Sequence, residues 1–200
     1  MAKIYFRYGA MNSGKTTQLL QVAHKYEERG RRVAVLKPHI DTKGKYHIVS
    51  RLGASREVDY SVHWYENLYQ LFDDSNKVDC VLVDEVQFFS TEQIEQLWQV
   101  SKRLDIPVIA YGLRTDFKGN IFEPIKVLMA VADSIEELKT ICRCGRKATM
   151  NGRKVNGKFV YEGNQVEIDN QNDIEYEAMC GKCYIEKVLQ NGHLDLVPRG

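Results

Sequence analysis

The eight residues GAMNSGKT at positions 9–16 constrain the fold of this 200-residue chain more than any other stretch. They match the pattern GxxxxGK[ST], which joins a buried β-strand to an α-helix and wraps backbone N–H groups around phosphate. IYFRYG at 4–9 is rich in β-branched and aromatic residues, and apolar residues recur at helical spacing between Lys15 and Arg29. The sequence therefore predicts a strand, a phosphate-binding loop and a helix in that order.

The same loop predicts a site for a nucleoside triphosphate. Lys15 is expected to reach the outer phosphates and Thr16 to offer its hydroxyl to Mg²⁺. The competing interpretation is a glycine-rich turn without a ligand, which the flanking strand and helix disfavour. The expected phosphate contacts are Gly9, Ala10, Met11, Asn12, Ser13, Gly14, Lys15 and Thr16.

Further apolar segments alternate with an amphipathic one, which is typical of an α/β fold. We expect a P-loop (RecA-like) parallel sheet flanked by helices, ending near LKTIC at 138–142. The polar stretch at 39–57 is expected to be a mobile loop. The remaining segments are strands at 33–37, 80–85 and 107–113, and a helix at 91–104 capped by Ser90 or Thr91.

Two adjacent carboxylates follow the apolar strand at 80–85. Asp84 is expected to hold Mg²⁺ through water, and Glu85, pointing to the other side, is expected to be a general base. Adjacent acids at a strand end are more commonly solvated or cap a helix, but here they follow a phosphate loop. The pair does not decide whether the attacking group is water, as in an ATPase, or an alcohol, as in a kinase.

Aromatic residues follow the acidic pair and the next strand, in QFF at 87–89 and YGLRTDFKGNIF at 111–122. Ligands of open parallel sheets bind beyond the carboxyl ends of the strands, so these rings are expected in the same crevice as Glu85. A flat apolar slot beside a base favours a nucleobase. The alternative is that the aromatic residues, which include Tyr111, are core beneath a long loop.

Four of the five cysteines form two close pairs, and they predict a closed tetrahedral zinc site of structural type. A catalytic site would keep an open position, and His193 lies outside both pairs. A nucleic-acid-binding zinc ribbon is disfavoured by the acidic stretch at 163–177. The remaining alternative for the four paired cysteines is that they are metal-free thiols in a core. The fifth cysteine, Cys80, lies in an apolar strand, and we interpret it as an unreactive core residue. The predicted zinc ligands are Cys142, Cys144, Cys180 and Cys183.

Composition limits the location and partners of the chain. A formal net charge of +1 without a basic stripe argues against nucleic acid as a partner. No stretch approaches the roughly 20 apolar residues of a membrane span, and no apolar signal segment follows the first residues. We expect a cytoplasmic protein without a membrane partner. LVPRG at 196–200 is similar to the remnant of an expression tag.

In their order and spacing, GAMNSGKT, DEVQFF at 84–89, YGLRTDF at 111–117 and the cysteine pairs resemble the cytosolic-type, or type II, thymidine kinase family. The resemblance covers nearly the whole chain. It implies transfer of the ATP γ-phosphate to the 5′-hydroxyl of thymidine, giving dTMP for DNA precursor salvage, with Glu85 as the base. It also implies a homotetramer and feedback inhibition by dTTP.

The resemblance implies roles for further residues as well. The segment beside the triphosphate in the family corresponds to Asp41, Thr42 and Lys43. The expected ATP-binding residues also include Asp84 and Gln87. A lasso at 145–179 folds over the base in the family, although this chain has IDNQNDIEY where the family usually carries a glycine pair. The nucleoside-binding positions implied are Met11, Phe88, Leu113, Phe117, Phe122, Ile168, Asp169, Asn170 and Tyr176.

Two further expectations concern organisation and charge. We expect a nucleotide-binding domain at 1–141, a zinc-binding lasso domain at 142–195 and the tag remnant at 196–200. Besides Lys15, either Lys43 or Arg51 is a candidate cation for the transferred phosphoryl group. A nucleic-acid-dependent ATPase and a zinc-ribbon adaptor that only binds ATP are the alternative functions.

Overall fold

The computed structural model describes residues 1–41, 46–72, 77–165, 173–190, 192 and 194. In these ranges no helix is both long and apolar enough to cross a membrane. The elements are β1 (Ile4–Tyr8), α1 (Lys15–Glu27), β2 (Val33–Pro38), β3 (His47–Val49), β4 (Ser55–Glu57), β5 (Tyr60–Val62), β6 (Cys80–Val83), α2 (Thr91–Arg103), β7 (Val108–Gly112), α3 (Glu123–Val131), β8 (Ser134–Glu137), β9 (Thr140–Ile141), β10 (Lys147–Ala148), β11 (Met150–Val155), β12 (Lys158–Val160), β13 (Ile174–Met179) and α4 (Gly181–Lys187).

The described chain divides into two compact units. The first comprises Met1–Tyr8, Gly14–Gly112 and Glu123–Glu137, and the second comprises Gly9–Ser13, Leu113–Phe122 and the described part of Leu138–Gly200. Both units are therefore built from segments that are distant in sequence. The domain boundary at residues 141 and 142 stays a prediction.

The first unit is built on a six-stranded sheet in the order β5-β2-β6-β7-β1-β8, and every strand pair in it is parallel. The residues of β2, β6 and β7 are all buried, as expected for parallel strands covered on both faces. Helix α1 contacts β2 and β7, and α2 contacts β7, β1 and α3. The predicted α/β fold with a parallel sheet is confirmed.

The predicted amphipathic helix is α2, and it begins directly after its N-cap residue, Ser90. Ser90 accepts a hydrogen bond from the Gln93 N–H at 3.2 Å, and the Gln93 side chain accepts one from the Ser90 N–H at 3.0 Å. This reciprocal pair is a capping box, so of the two predicted caps Ser90 is the one the structure uses. The helix buries Ile94, Leu97 and Val100 against the sheet.

The expected loop at 39–57 contains structure that its polar composition did not indicate. Strands β3 and β4 pair antiparallel, and Ile48 in the middle of β3 is only 3% exposed. The prediction was therefore wrong for residues 47–49 and 55–57. A three-residue strand with a single buried side chain leaves too weak an alternation for sequence reasoning to find.

The second unit has a three-stranded antiparallel sheet in the order β12-β11-β13, a short β9–β10 pair and helix α4. Its small core combines ordinary apolar side chains with three of the cysteines. The buried members are Ala10, Cys142, Ala148, Ala178, Met179, Cys180, Cys183, Tyr184 and Val188.

Candidate active site and cysteine cluster

The phosphate loop has the tight backbone that its glycines predict. A Cβ on Gly9 would lie 2.2 Å from the Ser13 Oγ and 2.5 Å from the Leu138 carbonyl oxygen, so a larger residue does not fit. Asn12 and Gly14 both adopt positive φ angles, 64° and 80°. Such turns point successive N–H groups into a concavity that binds anions, and α1 begins directly after it.

A buried asparagine that sequence reasoning missed supports this loop. The Asn151 Oδ1 accepts a hydrogen bond from the Met11 N–H at 2.8 Å, and its Nδ2 donates to the Thr115 carbonyl at 3.3 Å. Asn151 is 4% exposed and lies in β11. Its role depends on contacts across the fold, and no local signal in the sequence marks it.

The two predicted magnesium ligands lie together in the first unit. The Thr16 hydroxyl is 3.5 Å from the Asp84 Oδ2, at the edge of hydrogen-bonding distance. Lys15 is 7% and Asp84 5% exposed, so a buried ammonium lies in the same site. A hydroxyl and a carboxylate are oxygen ligands of the kind Mg²⁺ prefers, and the residues present therefore fit the ion.

Burial and neighbouring charges shift the pKa values of two groups in the site. The pKa of Asp84 is raised to about 7, chiefly by burial and next by the charge of Glu85, with a smaller contribution from Asp41, while the Glu85 N–H and Lys15 act in the opposite direction. Burial also lowers the pKa of Lys15, against the nearby charges of Glu85 and Asp84. A divalent cation bound beside Asp84 would favour the ionised form of its carboxyl.

A second buried lysine was not anticipated. Lys37 at the end of β2 is 1% exposed, and its Nζ is 3.2 Å from the Asp41 Oδ2. Two residues were predicted as a second cation for the phosphoryl group. One of them, Arg51, is exposed, and its charge lowers the pKa of Lys15 by less than burial does. Lys43 lies outside the described residues.

Glu85 leaves the sheet in an uncommon backbone conformation. It has φ 47° and ψ 45°, the left-handed region, which costs a non-glycine residue about 1 kcal/mol. Its Oε2 accepts a hydrogen bond of 2.6 Å from the Gln87 Nε2. The carboxyl is half-buried, so it is held in place and still accessible. Strain of this kind is typical of functional positions.

Gln87 can reach Glu85 because the neighbouring strand leaves room. Gln87 is 3% exposed, and a Cβ on Gly112 would lie 2.5 Å from its Oε1 and 2.8 Å from the Val86 Cγ1. Gly112 ends β7, next to β6 in the sheet. Gln87 was predicted to bind the triphosphate, and in the structure its side-chain amide contacts the expected base.

The aromatic residues that follow the strands fall into two groups. Tyr111 is fully buried and accepts a hydrogen bond from the Arg7 Nη1 at 2.9 Å, so its expected place in the crevice was wrong and it belongs to the core of the first unit. The other group comprises the predicted nucleoside residues. Of these, Met11, Phe88, Leu113 and Tyr176 are half-buried, and Phe117 and Phe122 are 2% and 5% exposed.

The loop that carries Phe117 is shaped by Asp116. The Asp116 Oδ1 accepts hydrogen bonds from the N–H groups of Lys118 and Asn120, at 2.9 and 2.8 Å. The hydroxyl of Tyr184, in α4, donates to the Phe117 carbonyl. Leu113–Phe122 is thus fixed within the second unit, to which Met11 and Tyr176 also belong, whereas Phe88 belongs to the first.

Five predicted site residues lie outside the described residues, and their roles stay predictions: Thr42, Lys43, Ile168, Asp169 and Asn170. His193 and the tail at 196–200, for which no site role was predicted, also lie outside them.

The four paired cysteines form one cluster. The sulfur atoms of Cys142, Cys144, Cys180 and Cys183 all lie within 4.8 Å of one another. The Sγ atoms of Cys144 and Cys180 are 3.6 Å apart, too far for a disulfide and close to the roughly 3.8 Å edge of a tetrahedron with 2.3 Å zinc–sulfur bonds. The predicted grouping is confirmed, and its donor set fits zinc.

Two tight turns present these thiols. The Gly145 N–H donates to the Cys142 carbonyl at 2.8 Å, and the Cys183 N–H donates to the Cys180 Sγ at 3.5 Å at the start of α4. The Cys183 N–H bond helps lower the pKa of Cys180, whereas hydrogen bonds to its neighbouring thiols raise that of Cys183. Four such thiols ionise together only when a cation offsets their charge.

The raised pKa of Asp84 predicts a pH-dependent stability. The unfolded carboxyl ionises near pH 4 and the folded one near 7, so wild-type stability falls as pH rises through that interval. We expect Asp84→Asn to stabilise the ligand-free protein by a few kcal/mol at pH 8, with the gain shrinking towards pH 4. Urea unfolding across pH measures it, with the exposed Glu95→Gln as control. A gain independent of pH would contradict the assignment.

Comparison with known proteins agrees with this geometry. A family model described as thymidine kinase matches residues 2–184. A protein of Francisella tularensis subsp. tularensis (strain SCHU S4), named thymidine kinase, is 44% identical over 198 residues, covering 95% of this chain and all of the relative. Proteins of the same name from Legionella pneumophila (strain Lens) and Rhodopirellula baltica are 48% and 44% identical, covering 90% and 98% of this chain and 88% and 94% of their own lengths. The chain therefore belongs to the thymidine kinase family.

Proposed function

We propose that the protein transfers the γ-phosphate of ATP to the 5′-hydroxyl of thymidine, giving dTMP and ADP for DNA precursor salvage. The observation that carries the proposal is the Glu85 carboxyl, held by Gln87 in an accessible position directly after buried Asp84. Membership of the thymidine kinase family supplies the acceptor, and the phosphate loop supports ATP as the donor.

In the proposed reaction Glu85 accepts the proton of the 5′-hydroxyl. The hydroxyl oxygen then bonds to the γ-phosphorus, and the bond from that phosphorus to the oxygen shared with the β-phosphate breaks. Lys15 and the N–H groups of the loop stabilise the charge on the phosphates. Thr16 and Asp84 would hold Mg²⁺, which supplies further charge neutralisation when bound.

We place the nucleoside among the residues that the family resemblance implies. Met11 and the phenylalanines Phe88, Phe117 and Phe122 would surround the thymine, and Tyr176 would lie near the sugar. A slot that closes over the C5 methyl group gains about 1 to 3 kcal/mol for that group. Family membership also favours feedback inhibition by dTTP, a homotetramer and a cytoplasmic location, with no nucleic-acid partner.

We also propose that the cysteine cluster binds a structural zinc ion. Ordering the 145–179 segment costs about 1 to 2 kcal/mol per residue, and zinc binding at such sites contributes on the order of 10 kcal/mol. Cys183 precedes Tyr184, whose hydroxyl donates to the Phe117 carbonyl. An ion that fixes this thiol therefore also stabilises the aromatic loop at 113–122.

Replacing the proposed base tests the reaction. We expect Glu85→Gln to lower kcat for thymidine phosphorylation at least about a hundredfold, because the amide cannot accept the proton, and to leave the KM for ATP nearly unchanged. Labelled ATP with thymidine, scored for 5′-monophosphate, measures both. Glu92→Gln, an exposed change in the same region, is the control and should retain wild-type turnover. Near-normal turnover in Glu85→Gln would refute the assignment.

Zinc binding is tested with two matched cysteine variants. Wild type is expected to contain one zinc per chain by mass spectrometry of the metal. Cys144→Ser changes the exposed ligand and should lose the zinc, lower the Tm and raise the KM for thymidine. Cys80→Ala changes the buried cysteine in β6 and should keep the metal. Full zinc content in Cys144→Ser would show that the cluster does not bind the ion as proposed.

A further inference from the structure

Arg153 is a buried cation in the middle of β11. The residue is 1% exposed, and its guanidinium carbon lies 3.9 Å from the centre of the Phe117 ring. That distance is within the range of a cation–π contact, and such contacts are stronger when the cation is desolvated. Phe117 is one of the residues proposed to surround the base, so Arg153 contacts a ring of the proposed nucleoside site.

The same guanidinium also holds a second segment. Its Nη1 donates to the Asn164 carbonyl at 2.8 Å and its Nη2 to the Glu162 carbonyl at 3.3 Å. A further hydrogen bond joins this segment to the aromatic loop: the Gln165 Nε2 donates to the Asp116 Oδ2 at 3.1 Å. Residues 162–165 and the loop at 113–122 are therefore fixed to each other through Arg153 and Gln165.

The register of the sheet adds a third part of the site. Arg153 lies directly opposite Tyr176 of β13, and opposite residues of an antiparallel pair share a face with their Cβ atoms about 5 Å apart. Asn151, two residues earlier and thus on the same face, contacts Met11 and Thr115. Among the described residues, one face of β11 therefore contacts Met11 and the loop at 113–122 and lies opposite Tyr176.

We propose that Arg153 is the positioning residue of the nucleoside site, fixing the Phe117 ring and the backbone of residues 162–165 in the geometry that binds thymidine. The inference rests on the proposed function. Burying a cation is unfavourable unless strong partners compensate for it, and the partners of Arg153 include the Phe117 ring and the carbonyls of Glu162 and Asn164. The next residue, Lys154, lies on the opposite face of β11 and contacts the Phe159 ring and the Glu177 carboxylate. None of these three residues is proposed to bind nucleoside, so Lys154 serves as a comparison with a purely structural role.

This contrast supplies a matched pair of variants. Arg153→Met keeps an unbranched apolar side chain similar to the arginine stem but loses the guanidinium with its charge and donors, and it should raise the KM for thymidine at least tenfold while the KM for ATP stays within twofold. Arg153→Lys keeps the cation over the ring and should recover part of the loss. Lys154→Met removes the equivalent contact on the other face and should leave both KM values within twofold. Thermal unfolding and zinc content identify variants that are folded.

Gln165→Ala extends the test without a change in a core position, since Gln165 is exposed. It removes the hydrogen bond between Gln165 and Asp116 and should raise the KM for thymidine two- to fivefold. This variant tests the inference even if Arg153→Met does not fold. A folded Arg153→Met with an unchanged KM for thymidine, or equal rises for thymidine and ATP, would overturn the inference and leave the proposed function intact. Wild-type protein that neither binds nor phosphorylates thymidine would overturn both.

Discussion

The left-handed backbone of Glu85 is the constraint on which the candidate active site depends. Strand β6 is buried throughout, and the chain must turn sharply where it ends. Two consecutive carboxyls lie at this turn: Asp84 is buried beside Lys15 and Thr16, and Glu85 is half-buried and bonded to Gln87. Because residues on extended backbone alternate between the two faces of a sheet, the left-handed conformation of Glu85 gives its side chain a direction that a continued strand would not.

Buried ionisable groups and a strained backbone reduce the stability of the folded protein at this site. Asp84 is buried at the expense of its ionised form, Lys15 is buried at the expense of its protonated form, and Glu85 carries backbone strain. Such features persist where the surrounding structure holds them in place and where a ligand is to complete the charge balance. The cysteine cluster follows the same principle in the second unit, since its thiols are brought close together in a way that favours a bound cation.

The sequence was sufficient where chemistry requires particular residue types at short, fixed spacing. The phosphate loop, the Asp84–Glu85 pair and the paired cysteines are of this kind, and the alternation of apolar segments predicted the parallel sheet for the same local reasons. The positioning contacts could not be predicted, because they join distant segments. The Asn151 bond to Met11 spans 140 positions, and Arg153 stands in a polar stretch of unremarkable composition. Tyr111 was misplaced because a strand residue and the loop residues after it carry the same aromatic signal.

In the proposed reaction, Glu85 takes the proton of the attacking hydroxyl. A crystal structure with thymidine, Mg²⁺ and a non-hydrolysable ATP analogue measures the relevant distance directly. We expect a Glu85 carboxylate oxygen at about 2.6 to 3.2 Å from the 5′-oxygen, with that oxygen in line with the γ-phosphorus. A Glu85 side chain directed away from the nucleoside, with another group on the 5′-hydroxyl, would contradict it.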